Sequence, residues 1–186
     1  MNITSNFRKS FFATSVIITL LFCNSSFAAP YGVIDTKRIM NEAKAVIYTQ
    51  KVINKKQLEF KEIVTNKEGK LKQEEDSLIA KKDLLSAEGF KQEEEKLQKK
   101  IDDFKDFVIE KNNILQEALQ DAIKIIEEKI KESITEIAQQ KKYSIIFPEG
   151  SLVYYEENLD ITNDVLNLVN SKIEVVDIKF SNKKNK

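Results

Sequence analysis

Histidine is absent from this sequence, and with it go the commonest general base, the commonest zinc ligand and every Ser/His or Cys/His nucleophile pair. Tryptophan is also missing, and cysteine occurs once, at Cys23. Four glycines and two prolines in 186 residues are too few turn formers for an all-β domain. Neither sign of charge prevails: 30 Lys+Arg balance 30 Asp+Glu, so no basic excess calls for a nucleic-acid partner. No Gly-rich phosphate loop is present either. The expectation is a protein that is not an enzyme and uses no cofactor, metal or nucleic acid. What remains is a chain in which 32% of residues are charged, the balance of long solvated helices.

One apolar run stands out, from Phe11 to Cys23, preceded by Arg8 and Lys9 and followed by Ser26-Phe27-Ala28. This is the layout of a secretory signal peptide, and 13 residues fall short of the ~20 needed to span a hydrocarbon core. Residues 1–28 are therefore read as a cleavable leader, cut after Ala28, which carries the chain across a membrane. Phe22 before Cys23 is too bulky for lipid attachment at that cysteine. The remaining 158 residues, 29 to 186, hold no cysteine and can form no disulfide within the chain.

Between Pro30 and Pro148 there is no proline, and glycine occurs only at 32, 69 and 89, so helices can run long. Tyr31-Gly-Val-Ile-Asp35 is a short β-branched stretch, with Asp35 or Thr36 placed to cap a following helix. Val64, Leu71, Leu78 and Leu85 then fall seven apart. A second stripe runs through Phe90, Leu97, Ile101, Phe104, Val108, Leu115, Ala118, Ala122 and Ile125, with one polar gap at Lys111. Folding the chain back at 86–89, where Gly89 suits the reversal, makes facing positions total about 175, and the two stripes then meet. An antiparallel helical hairpin over residues 46–142 is predicted, too long for a compact domain and so projecting from it.

Beyond Lys142 the period changes. Tyr143-Ser-Ile-Ile-Phe147, Pro148-Glu-Gly150 and Ser151-Leu-Val-Tyr-Tyr155 read as a β-hairpin, and Thr162 as the cap of a short amphipathic helix through Ser171. Residues 29–45 and 143–173 are thus expected to share one body, with residues 174–186 as a flexible tail. The fold class is α+β: a long antiparallel coiled-coil hairpin projecting from a small β-rich oligomerisation body built by both chain ends.

These residues resemble the OmpH-like family. Gly32-Val-Ile-Asp35 is similar to its first strand, and Ile145-Ile-Phe-Pro-Glu-Gly-Ser-Leu-Val-Tyr-Tyr155 with Asp160-Ile-Thr162 and Val165-Leu166 to its closing elements. The resemblance implies a periplasmic homotrimer whose helical arms enclose a cavity and hold unfolded outer-membrane proteins without ATP. Its best-known member is strongly basic, whereas residues 46–142 here hold 20 Lys against 21 Asp+Glu, so no lipopolysaccharide-binding residues carry over and that ligand is left open. Transient contact with a membrane surface is allowed. The alternative reading is a structural coiled-coil spacer or tether of the cell envelope.

Candidate residues follow from the two stripes and the apolar surplus over 114–138, which exceeds what one hairpin can bury. Val33, Ile126, Ile130, Ile137, Ile145, Phe147, Leu152 and Tyr154 are expected at the trimer interface. Phe60, Leu78, Phe90, Leu97, Ile101 and Val108 are expected to touch client along the arm, and Gly69 to act as a hinge within it.

Overall fold

A computed structural model of the chain describes residues 30–181. The expected leader at 1–28 lies outside those residues. The element order is β1 (Tyr31–Ile34), α1 (Thr36–Glu42), α2 (Lys44–Ala80), α3 (Ala87–Lys141), β2 (Ile145–Pro148), two single 3-10 turns (Glu149–Ser151 and Glu157–Leu159) and α4 (Thr162–Lys172).

Asp35 caps α1 as its sequence position predicts: its Oδ1 accepts the Arg38 N–H at 2.9 Å. Ala43 then breaks the helix with extended dihedrals, and its own N–H still closes on the Ile39 carbonyl. With no proline and one glycine to interrupt it, α2 runs 37 residues to Ala80. The chain reverses over residues 81–86. Ser86, whose Oγ accepts the Gly89 N–H at 3.1 Å, caps the 55-residue α3, about 80 Å long at 1.5 Å per residue. Gly89 therefore sits inside the first turn of α3, with no positive φ, and does not make the reversal expected of it. The antiparallel register is close to the expected one, since Lys100 pairs with Glu74 across the hairpin at 2.6 Å and their numbers total 174.

Helix α3 ends where Lys142 turns left-handed, at φ 57°, and the Tyr143 N–H reaches the Ala138 carbonyl at 2.9 Å. This delivers β2 beside β1 in parallel, Tyr31 opposite Ile145 through Ile34 opposite Pro148. β2 is an edge strand, where proline is tolerated. Gly32 permits the close approach of Ile161, whose Cδ1 would lie 3.1 Å from a Cβ at that position.

The predicted β-hairpin after Pro148 is not formed. Residues 149–151 make a 3-10 turn, with Ser151 Oγ donating to the Pro148 carbonyl, and the Tyr155 hydroxyl donates back to Glu149 at 3.0 Å. The other edge of β1 is taken by Asp160 and Ile161: Val33 bridges Asp160, and the Ile161 N–H donates to the Val33 carbonyl at 2.9 Å. Residues 152–155, rich in strand formers, join no strand among the described residues, and the outer edge of β2 stays open.

Thr162 does not cap α4. Its hydroxyl accepts the Asp35 N–H at 2.8 Å, 127 positions away, while Asp160 Oδ1 accepts the Thr162 N–H at 2.7 Å. The core forms here, from Ile39 and Val46 of the first helices, Ala122, Ile126 and Ile137 of α3, and Ile161, Val165 and Val169 of the closing segment. Lys141 pairs with Asp164, whose carboxylate hydrogen bond raises the lysine pKa and ties the end of α3 to α4. In the tail expected to be flexible from residue 174 on, Val176 is 3% exposed and Ile178 lies against the core, continuing from Ile173, while Glu174, Val175 and Asp177 are exposed.

Candidate functional site: the arm and the apolar surface of the body

Along the arm, the six side chains expected to face client are all half-buried. Leu78, Phe90, Leu97, Ile101 and Val108 belong to the two stripes through which α2 and α3 face each other, and Phe60 lies one turn before Val64 on the same face, so their apolar surface is spent largely on the seam. The polar gap at Lys111 is filled in a way the heptad count cannot show. Lys111 Nζ lies 5.5 Å from the Phe60 ring and 4.9 Å from the Phe107 ring, with Lys56 over Phe60 at 5.1 Å and Lys67 over Phe107 at 4.8 Å. Phe107, absent from the predicted stripe, is legible in hindsight as the residue three after Phe104 and four before Lys111, both on one helical face.

Toward the tip the seam thins. A cleft of about 1020 Å³ opens between the helices, lined by Glu74, Leu78, Leu85, Leu97 and Lys100 among others. Gly69 lies in an unbroken stretch of α2 and would meet nothing within 4 Å if given a Cβ.

The apolar residues that the arm does leave in water are others: Leu58, Ile63, Ile79, Leu84 and Ile109, with Leu84 at the tip 83% exposed. They fall off the seven-residue stripe, and that offset is the sequence signal that marks them. Between them the surface is charged. Glu59, Glu93, Asp102 and Glu132 each accept a hydrogen bond from a lysine three residues away, which holds their carboxyl groups below the ordinary range. The arm surface therefore mixes isolated aliphatic side chains with charges of both signs.

On the body, the expected interface residues divide. Val33, Ile126 and Ile137 are buried within the chain itself, because residues 160–161 cover one edge of β1 and the closing segment packs over the α3 base. Ile130 is half-buried against that same core. Much of the apolar surplus at 114–138 is thus met by α4 and residues 173–178 rather than left for a partner. Ile145 remains 48% exposed and Tyr154 81%, while Phe147 and Leu152 are half-buried. Tyr31 and Val153, which the sequence reading did not single out, are exposed beside them, and the Tyr31 ring lies 6.1 Å from that of Phe147. Among the described residues no cluster of His, Cys, Asp or Glu could hold a metal ion, and no helix is long and apolar enough to cross a membrane.

A family model described as outer membrane protein (OmpH-like) matches residues 30–169, which span β1 to most of α4. The chain belongs to the OmpH-like family. Within reach of that assignment is a protein of Aquifex aeolicus (strain VF5) with no described function, 24% identical over 158 residues that cover 85% of this chain and 94% of the other. A crystal structure of a candidate outer membrane chaperone (OmpH-like) from Caulobacter crescentus CB15 shares the fold with a TM-score of 0.77 at 16% identity, covering 84% of this chain and 94% of that one. The OmpH-like fold is therefore a helical hairpin set on a small body with a two-stranded sheet, as the stripes and chain ends led one to expect. The family match stops at residue 169, before the packed tail.

Proposed function

We propose that this OmpH-like protein is an ATP-independent periplasmic holdase, which binds unfolded outer-membrane β-barrel proteins between helical arms and prevents their aggregation before membrane insertion. The observation that carries the reading is the arm surface: Leu58, Ile63, Ile79, Leu84 and Ile109 stand exposed and separated by paired charges on a hairpin about 80 Å long. An unfolded membrane barrel presents alternating apolar side chains and unpaired strand edges. Scattered aliphatic contacts hold such a chain without reading its sequence, and the charged surface between them keeps the arms themselves in solution. Release needs no nucleotide, because folding into the membrane buries the same apolar side chains more completely.

A cavity requires several arms, and the body offers a surface on which copies can join. Tyr31, Ile145, Phe147, Leu152, Val153 and Tyr154 form its open apolar part, and β2 pairs only with β1 among the described residues. In a homotrimer, residues 152–155 of one copy would extend the two-stranded sheet of the next, which accounts for strand-forming residues that pair with nothing in their own chain.

Light scattering of an outer-membrane β-barrel protein diluted from urea tests the function. Scattering is expected to fall as the chain is added at modest molar excess. Unchanged scattering, with the added protein shown to be folded, overturns the holdase reading. Sedimentation equilibrium tests the assembly, with a trimer expected and Tyr154→Asp expected to shift it toward monomer.

A further inference from the structure

One face of the α3 base, carrying Ala118, Ala122 and Ile125, is lined by the chain's own C-terminal segment, with Ile125 left 40% exposed. After Ile173, whose dihedrals are extended, Val176 is buried and Ile178 and Phe180 are half-buried, while Glu174, Asp177 and Lys179 point to water. Val176 and Ile178 line a cleft of about 540 Å³ with those α3 residues. Phe180 lies further along: its ring is 5.7 Å from Lys56 Nζ on α2, the lysine that also sits over Phe60 of the arm. The segment therefore crosses from the body onto the arm.

Its attachment is unusual for an ordered segment. Residues 174–180 make no backbone–backbone hydrogen bond among the described residues, and they are held by burial of alternate side chains and by the Lys44–Glu174 ion pair. Val176-Asp177-Ile178-Lys179-Phe180 alternates apolar and charged residues with a period of two, the pattern of a strand with one apolar face. A segment held by its side chains alone, apolar ones and the single Glu174 ion pair, has no ladder to break, so an extended chain with the same alternation can take its place. It also lies past residue 169, where the family match ends.

We propose that residues 173–180 are an internal occupant of a polypeptide-binding strip on the α3 base, displaced when an unfolded strand of alternating apolar pattern binds there. The inference deepens the holdase reading and rests on it for the identity of the displacing chain. An empty protein keeps the strip covered, and client binding is weakened by the fraction of time the strap is seated.

Val176→Cys, in a chain also carrying Cys23→Ser, puts a single thiol beneath the strap. Maleimide labelling of that thiol is expected to be slow in the free protein and to quicken about tenfold when a urea-unfolded outer-membrane β-barrel protein is bound, because the strap must open to admit it. An unchanged rate, under conditions where light scattering shows the client to be held, overturns the displacement. The full-length double variant Val176→Asp/Phe180→Ser unseats the strap, and a synthetic peptide of residues 173–181 is expected to bind it at least about threefold more tightly than it binds the wild type. Equal binding, or none to either, overturns the strip. Should that variant fail to fold by circular dichroism, the labelling experiment decides alone. Failure of the wild type to suppress aggregation would sink the holdase reading, while the peptide experiment still reports on the strip itself.

Discussion

Lys111 of α3 sits with its Nζ 5.5 Å from the ring of Phe60 on α2, at the one position where the apolar stripe of the second helix is interrupted. A lysine in a coiled-coil seam ordinarily weakens it. Here the ammonium is placed over two aromatic faces, one of them on the facing helix, so the interruption becomes a cross-helix contact.

Lys111→Ala is accordingly expected to destabilise the arm by about 1–2 kcal/mol, the worth of two partly exposed cation–π contacts, whereas Lys111→Arg should cost much less. Urea unfolding followed by circular dichroism reads the difference. Equal midpoints for the two variants would show that the rings and the ammonium do not attract.

Replacing Thr162 by Val keeps the shape but removes the acceptor for the Asp35 N–H, leaving a part-buried donor unpaired between the two chain ends. The expected loss is about 1–3 kcal/mol, with Thr162→Ser close to wild type. A Val variant as stable as the parent in urea would mean that the bond holds nothing together.

Gly69→Ala should stabilise the protein by about 1 kcal/mol, since a helix interior favours alanine and nothing lies within 4 Å of the new Cβ. If the glycine also serves as a hinge, hydrogen exchange over residues 66–72 will be faster than over 115–130 in the wild type, and the substitution will slow it. Equal protection in the two stretches rules the hinge out.

Glu59, Glu93, Asp102 and Glu132 have folded pKa values lowered by hydrogen bonds from Lys56, Lys96, Lys105 and Lys129, relative to ordinary values of 4.5 for Glu and 3.8 for Asp. A lowered carboxyl pKa contributes stability above the unfolded value that is lost as pH falls through the folded one. Thermal midpoints should therefore hold steady down to about pH 5 and decline below about pH 4. All four pairs are exposed, so the decline should shrink in high salt. A midpoint that rises on acidification would contradict this sign.

The arm was legible in the sequence because its signal is local: seven-residue spacing and the lack of helix breakers decide both helices and their register. Asp35 as a cap was legible for the same reason. Other features depended on what happens to pack nearby. Val33, Ile126 and Ile137 carry no mark that distinguishes a core residue from an interface residue, and only the placement of residues 160–161 and α4 decides it. Leu152 to Tyr155 have strand-forming side chains, yet strand propensity does not decide pairing: the chain leaves β2 through the 3-10 turn at Glu149–Ser151 and does not come back along the open edge of β2. Composition alone marked the tail as flexible, because its final residues are polar and lysine-rich, and this concealed the alternation from Val176 to Phe180.

The parallel pairing of β1 with β2 also sets an order of assembly. Tyr31 cannot meet Ile145 until nearly the whole chain has emerged, so contacts in the body are of high sequence separation and slow to find. The hairpin removes most of that delay. Its turn at 81–86 joins neighbours in sequence, and zipping from there toward the base brings the two strands together step by step, shortening the loop still to be closed. A chain entering its compartment from the N-terminus would build the arm first and the body last. Any surface formed by the body, including one that joins copies, would come into being only after the arms are already in place.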